Sequence, residues 1–422
     1  MPAKADELWA THEVTLLAKI PNALRVKDFR PIAVLPVLYK LYSRVLYMLA
    51  DTTCRSLAEP QFAFRKFHQA HEVVFILRQL VEKAVEWRSP HLYVMDGDIK
   101  KAYDFTSHKA FAEAARGKGM DEVLILAWLR EWRRMKSVFR LDSETTSAEI
   151  QRTRSLPQGD PAAPMLFNLI LDTLAGRFAE IAVENKWGKR IQDGTWVNII
   201  LFADNYWLVA TDSRMLKKMT EVWLDILAEY GWETPVTELT WCSTIQDDNR
   251  AQFEIRGLPA RRTSAAEGFK VLGTIVTFDN KYDLEIEYRL SRANTAFYAN
   301  WSLPGCDSVP LKTRLRVFRA VVDASVFWCA GSWNSSREHN ERLRIFQMRF
   351  IRKMLRIKRL EGGDMGTFLH RANGILKDRL THNNEHENWD IKATELRYNW
   401  GGHVARFSRL DPNRLTFRVF KH

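Results

Sequence analysis

Leu92-Tyr-Val-Met-Asp-Gly-Asp-Ile-Lys-Lys-Ala-Tyr-Asp104 is the stretch on which the fold turns. Leu92 to Met95 give an apolar strand signal that runs straight into Asp96-Gly97-Asp98, so Asp98 closes a buried strand with a carboxylate. Further along, two β-rich runs, Trp196–Phe202 and Tyr206–Ala210, flank Ala203-Asp204-Asn205, which reads as a hairpin with polar turn residues. Asp98 and Asp204 can meet only if that strand and that hairpin are neighbours in one sheet.

Working outward, Ser107 is placed to cap a helix through about Arg116, stopped by Gly117 and Gly119. Asp121 opens another helix. Ala163 to about Glu184 reads as a long buried helix, and a further one from about Met215 to Tyr230 ends at Gly231. Gln252–Arg256 and Phe269–Phe278 look like strands. Upstream, Val34–Leu49 and Glu72–Ala84 carry helical spacing, and after about Glu285 the pattern is helical until Gly362. The strand–helix–helix–hairpin–helix–strand order from 92 to 278 predicts an α+β unit, an antiparallel sheet with helices on one face.

Composition sets the outer bounds. At 422 residues and 46% apolar content the chain holds two or three packed subdomains, without low-complexity tracts or repeats. No apolar run approaches a membrane span, and the N-terminus has no signal-peptide core. Cys54, Cys242, Cys306 and Cys329 are scattered without metal-ligand spacing, which suits reduced thiols in a nuclear or cytoplasmic protein. The net charge of +12 is concentrated: residues 311–360 hold thirteen Lys or Arg against three acids. Such a stretch reads either as a polyanion-binding arm or as a solvated helix face. From Glu338 to Arg359, Leu343, Phe346, Phe350, Met354 and Ile357 form a helical apolar stripe, with Arg342, Arg349, Lys353 and Arg356 off it.

Phosphoryl transfer onto a growing nucleic acid needs two divalent metals held by carboxylates from separate elements, and Asp98 with Asp204 meets that need. Either aspartate alone reads as an ordinary turn residue. Their surroundings add more. Asp98-Ile-Lys-Lys-Ala-Tyr-Asp104, Ser155-Leu-Pro-Gln-Gly-Asp-Pro-Ala-Ala-Pro-Met-Leu-Phe-Asn168, Phe202-Ala-Asp-Asn205 and Phe269-Lys-Val-Leu-Gly273 stand in this order. Asp28-Phe-Arg-Pro-Ile32, Tyr39-Lys-Leu41 and Gln61-Phe-Ala-Phe-Arg65 precede them, and Tyr398-Asn-Trp-Gly-Gly-His-Val-Ala-Arg406 follows. Together they resemble the motifs of non-LTR retrotransposon (LINE-type) reverse transcriptases, from about Val14 to Phe407.

The resemblance implies a right-hand polymerase with fingers at 1–91 and a palm at 92–283 holding inserted fingers helices at about 108–155. A helical basic thumb at 284–360 and a helical C-terminal extension at 361–422 would follow. It implies an RNA-directed DNA polymerase using two Mg²⁺ ions (Mn²⁺ can substitute), dNTPs, an RNA template and a DNA primer, with no membrane partner. Asp98, Asp204 and the carbonyl of Ile99 would ligate metal. Arg30 and Lys40 would face the triphosphate, and Tyr103 would lie under the sugar and reject a 2′-hydroxyl. Gln158 and Gly159 would line the base pair, where Gly allows close backbone approach. Leu272 and Gly273 would form the primer grip, and Arg342, Arg349, Lys353 and Arg356 would grip the primer–template duplex through phosphates. Read without the resemblance, Tyr103 is a core tyrosine, Arg30 and Lys40 are surface charges, and Pro157-Gln158-Gly159 is a turn before a helix.

Three departures stand out. Asn205 replaces the second Asp of the aromatic-x-Asp-Asp box, which removes a charge from the metal site; Asp96, on the same strand face as Asp98, is a candidate replacement. Relatives carry a Lys that protonates the leaving pyrophosphate where this chain has Glu238-Leu239, and Ala63 stands where they have Gly. The endonuclease that such elements carry upstream and a Cys/His knuckle downstream are both missing. The alternatives are a catalytically inactive relic that binds RNA or DNA, and an RNA-templated RNA polymerase, against which Tyr103 argues.

Overall fold

The computed structural model describes residues 9–50, 57, 60–88, 90–140, 146–245, 254–381 and 387–422. They form two compact units: one made of residues up to 70, 92–241 and 248–262, the other of 71–91, 242–247 and 263–422.

The first unit is built on a five-stranded sheet. Its middle strand, Tyr93–Asp98, lies between Asn205–Ala210 and Thr240–Ser243; Ile199–Phe202 and Arg261–Arg262 form the two edges. Tyr93–Asp98 pairs antiparallel with Asn205–Ala210, and Asp98 stands directly opposite Asn205. The strand is central because Tyr93, Val94 and Met95 are all buried, as an apolar run requires when both faces are covered. Helix Ser213–Glu229 packs on the two central strands, and helix Ala163–Glu184, apolar almost all round, packs on that helix. Ser107 and Asp121 cap His108–Gly117 and Glu122–Arg134 by accepting from Lys109 N and Val123 N. The α+β class is as expected.

Three local expectations need correction. The hairpin turn is only Ala203-Asp204; Asn205 belongs to the strand and pairs with Phe202. The run Trp196–Phe202 divides into Trp196–Val197, paired with Lys189–Arg190, and Ile199–Phe202. A second sheet was not anticipated: Phe29–Val34, Thr11–Ala18, Lys136–Phe139 and Ile150–Gln151, in that order. Its strands are mixed in polarity, two of them hold four residues or fewer, and one pairing joins residues 11–14 to 136–139, which local periodicity cannot reveal.

The second unit is helical apart from one small hairpin. Phe269–Phe278, expected as one strand, folds back as Phe269–Val271 against Thr274–Val276, because Leu272 and Gly273 both adopt positive φ (48° and 81°). Buried ion pairs surround it. Arg289 donates to Gly273 O (2.6 Å) and to Glu285 Oε1 (2.7 Å), and Arg78 donates to Ile275 O (3.1 Å). Helices Asp283–Ala299, Arg337–Met354 and Trp389–Leu410 pack around a core that includes Phe297, Phe318, Phe350 and Trp389. The Trp400 ring stacks on His71 at 4.0 Å, and Arg414 makes a two-bond ion pair with buried Glu72. No helix among the described residues is long and apolar enough to cross a membrane. Cys242, Cys306 and Cys329 form no disulfide among the described residues, and Cys54 lies outside them.

Candidate active site

The Ala203-Asp204 turn brings Asp204 back beside the end of the strand that carries Asp98. Ile99 N donates to Asp204 O at 3.0 Å, which stitches the strand exit to the turn. Ala203 takes φ +55°, an uncommon conformation for a residue with a Cβ. Buried Gln61 holds it there: its Oε1 accepts from Ala203 N (3.1 Å) and from Ala63 N (2.9 Å), while Nε2 donates to Ala203 O (3.3 Å). Gly97 lets the sheet close on this side, since a Cβ there would lie 2.3 Å from the buried Tyr206 ring.

The electrostatics follow from crowding. The Asp98 carboxyl is pushed up to about 7, first by desolvation and then by the charges of Asp204 and Glu238, although the residue keeps an exposed side. Arg30 and Lys19 pull it the other way. Burial also raises Asp204, with Arg30 opposing, and Asp96 is held at about 7 by burial and Asp98. Two desolvated, mutually repelling carboxylates are short of positive charge. Mg²⁺ sites use one or two carboxylates completed by substrate phosphates, and this oxygen pair has that chemistry. Among the described residues no group of three or more His, Cys, Asp or Glu side chains is placed to hold a metal.

A cleft of about 350 Å³ opens beside the turn, lined by Arg30, Phe64, Tyr103, Gln158, Gly159 and Asp204 among others. Tyr103 lies against Phe167 (ring centroids 5.0 Å apart, 19° between planes) and takes its acidity shift from burial and then from Asp204; its hydroxyl stays protonated. Gln158 and Gly159 do line the cleft, but the Gly has a different local cause. A Cβ on Gly159 (φ +123°) would sit 2.3 Å from the Ala33 carbonyl, and Ala33 N donates to Gln158 O at 2.8 Å. The loop is thereby fastened to the Phe29–Val34 strand that carries Arg30. Asp160 locks the same loop from below, accepting from Tyr39 Oη (2.7 Å), Ser43 Oγ (2.5 Å) and Ala162 N (2.9 Å). Lys40, half-buried on helix Val37–Leu49, is outside the residues that line the cleft.

Sequence reasoning gave no role to Gln61, Asp160 or Glu238. Ala63 turns out harmless, because the positive φ falls on Phe64 (56°) and not on Ala63. In the second unit, Leu272 O accepts from the Trp328 indole at 3.0 Å. Arg342 is engaged with Asp283 and Glu287, both on the neighbouring helix Asp283–Ala299, while Arg349, Lys353 and Arg356 share a separate cleft. Helix Arg337–Met354 stops before Ile357, and Phe346 is only half-buried, so the apolar stripe is shorter than expected.

Tyr93–Asp98, Asn205–Ala210 and Ile199–Phe202 pair antiparallel, while Thr240–Ser243 and Arg261–Arg262 pair parallel, so the expected antiparallel sheet is mixed at one edge. It sets Asp98 at a strand end beside Asp204 in a hairpin turn, in the manner of a polymerase palm. The chain belongs to the reverse transcriptase (RNA-dependent DNA polymerase) family, whose model matches residues 19–276, more than half of it. Its relatives include the Pol polyprotein of the type-1 retrotransposable element R2 from Nasonia vitripennis, 28% identical over 172 residues (39% of this chain, 16% of that protein). Another is the Pol polyprotein of the type-2 element R2DM from Drosophila melanogaster, 24% identical over 311 residues (72% and 28%). These relatives agree with the non-LTR resemblance. The chain spans only 16% to 28% of the curated relatives it matches. Apo telomerase from Candida tropicalis is a distant structural neighbour, at 12% identity and TM-score 0.49, covering 91% of this chain and 69% of the other.

Proposed function

We propose that this chain is the core of an RNA-directed DNA polymerase that adds dNTPs to a primer at Asp98 and Asp204. The observation that carries the reading is the pairing of Asp98 opposite Asn205, with Asp204 in the adjoining turn beside a cleft that also holds Arg30 and Tyr103. Asp98 and Asp204, with the carbonyl of Ile99, would hold the metals. Two bound Mg²⁺ ions (or Mn²⁺) would favour the ionised primer hydroxyl and stabilise charge on the transferring phosphate. Arg30 neutralises the triphosphate, with Lys40 further out. Tyr103, backed by Phe167, occupies the space beneath the sugar, and Gln158 with Gly159 borders the nascent base pair. Glu238-Leu239 stands where relatives carry a Lys, so no side chain of that segment is assigned to protonate the leaving pyrophosphate.

The partition proposed is fingers at 1–91, palm at 92–283, thumb at 284–360 and C-terminal extension at 361–422. RNA template and DNA primer are the proposed partners, and Leu272-Gly273, braced by Trp328 and Arg289, is the proposed primer grip. A binding-only relic is the second reading, favoured by the lost carboxylate at Asn205. Primer extension on an RNA template with Mg²⁺ or Mn²⁺ decides between them. The expected result is dNTP incorporation that Asp98→Asn and Asp204→Asn abolish. Absence of extension with both metals, in a folded preparation that binds nucleic acid, overturns the enzymatic reading.

A further inference from the structure

A cleft of about 450 Å³ lies where helix Arg337–Met354 ends, within the volume range of small-ligand sites. Arg349, Arg352, Lys353, Arg356 and Lys358 line it, with no acid in its wall, and Trp301 and Phe368 supply two partly exposed aromatic faces. We propose that this cleft binds an unpaired polynucleotide strand, gripping its phosphates with the cations and stacking a base on the aromatic wall. The proposal rests on the reading of the chain as a nucleic-acid-handling protein, but not on its catalysis.

Positions 349, 352 and 353 are three and four residues apart, so they share one helix face, and Arg356 follows just past the helix end with φ +52°. Arg356 is engaged with Asp307 and Gly305 O, and Lys353 with Tyr298 Oη (2.7 Å). Arg349, Arg352 and Lys358 have no carboxylate partner among the described residues. Desolvation and then Arg349's charge lower the Arg352 pKa, the response of a cation crowded by its own kind. Cations in a last helical turn also offset the helix dipole. That effect extends over a single turn, and it does not call for Lys358 beyond the helix or for the aromatic wall.

The aromatics choose the ligand. In a duplex the base faces are stacked on one another and only edges and phosphates are presented, so an aromatic wall would find no π-face. An unpaired strand presents both phosphate and base face to one cleft, which is how sequence-tolerant single-strand sites are built.

The test measures binding of the full chain to fluorescent oligo(U) RNA, oligo(dT) DNA and a blunt duplex of equal length, across a salt series without divalent metal. Trp301 packs into the core, so the variant is Phe368→Leu, which keeps the apolar volume and removes the ring. It is expected to weaken single-strand binding at least about fivefold with unchanged salt slope and unchanged duplex binding. Arg352→Gln should reduce the single-strand salt slope by about 0.7. The RNA and DNA arms show which strand is preferred. Unaltered single-strand affinity in Phe368→Leu, or an equal loss on duplex, overturns the proposal. Failure of primer extension with these binding results intact would count only against the polymerase reading.

Discussion

The side-chain amide of Asn205 donates to Asp204 Oδ1 at 3.4 Å, while its backbone stands opposite Asp98 across the sheet. The residue that replaces a carboxylate thus takes the part of a weak donor to the carboxylate that remains. Replacing it by Asp removes the donor and adds a third negative charge to a pair that already lacks compensation.

Asn205→Asp is therefore expected to act in opposite directions with and without metal. In chelator its melting temperature should fall below wild type, since like charges at such spacing repel by a few kcal/mol at an effective dielectric of about 20. With Mg²⁺ the difference should shrink or reverse, and primer extension should rise by about tenfold or more. Calorimetry in both conditions together with extension rates checks this; a uniform loss of stability with no gain in rate would contradict it.

Asp98 makes the site pH-sensitive. Its folded-state value of about 7 lies above an unperturbed carboxylate, so between about pH 4 and 7 the folded chain holds a proton that the unfolded chain has released. Stability in metal-free buffer should therefore decline as pH rises through that window, and Asp98→Asn should flatten the decline. Because metal competes with that proton, Mg²⁺ affinity should climb with pH and level off above about 7. Thermal unfolding in chelator from about pH 4 to 8 reads the first trend and titration calorimetry with Mg²⁺ from about pH 5.5 to 8.5 the second; a stability or an affinity independent of pH would contradict them.

Gln61 serves Ala203 and Ala63 at once, and it is fully buried. Gln61→Leu should leave three backbone groups without partners and cost about 3 kcal/mol or more, at about 1–3 kcal/mol for each unsatisfied group. The turn bearing Asp204 should loosen with it. Urea unfolding measures the first effect, and a drop in extension rate larger than that of an equally destabilised core variant measures the second.

Arg414 and Glu72 pair through two short hydrogen bonds (2.8 and 2.6 Å), and Thr416 Oγ1 donates to the same carboxylate at 2.6 Å. Arg414→Ala strands a buried charge and should cost about 3–5 kcal/mol. A paired change, Glu72→Met with Arg414→Met, should recover most of that loss. Equal destabilisation by the single and double variants would show that the packing of the last helix matters and the ion pair does not.

The sequence by itself determined the α+β class, the aspartates and most helix limits around them. Those features are local: a strand of buried residues ending in Asp98, caps at Ser107 and Asp121, and a helix at 163–184 all leave their mark within a few residues. Tertiary structure alone decided what supports the site. Gln61 reaches Ala203 across 142 residues and Tyr39 reaches Asp160 across 121. A buried polar side chain shows no periodicity, and its partner is set by chain crossing, so neither bond is written in the neighbourhood of either residue. The same holds for Arg342 against Arg349 and Arg352: one helix carries all three, yet only packing assigns the first to ion pairs with a neighbour and leaves the others facing an open, aromatic-walled cleft.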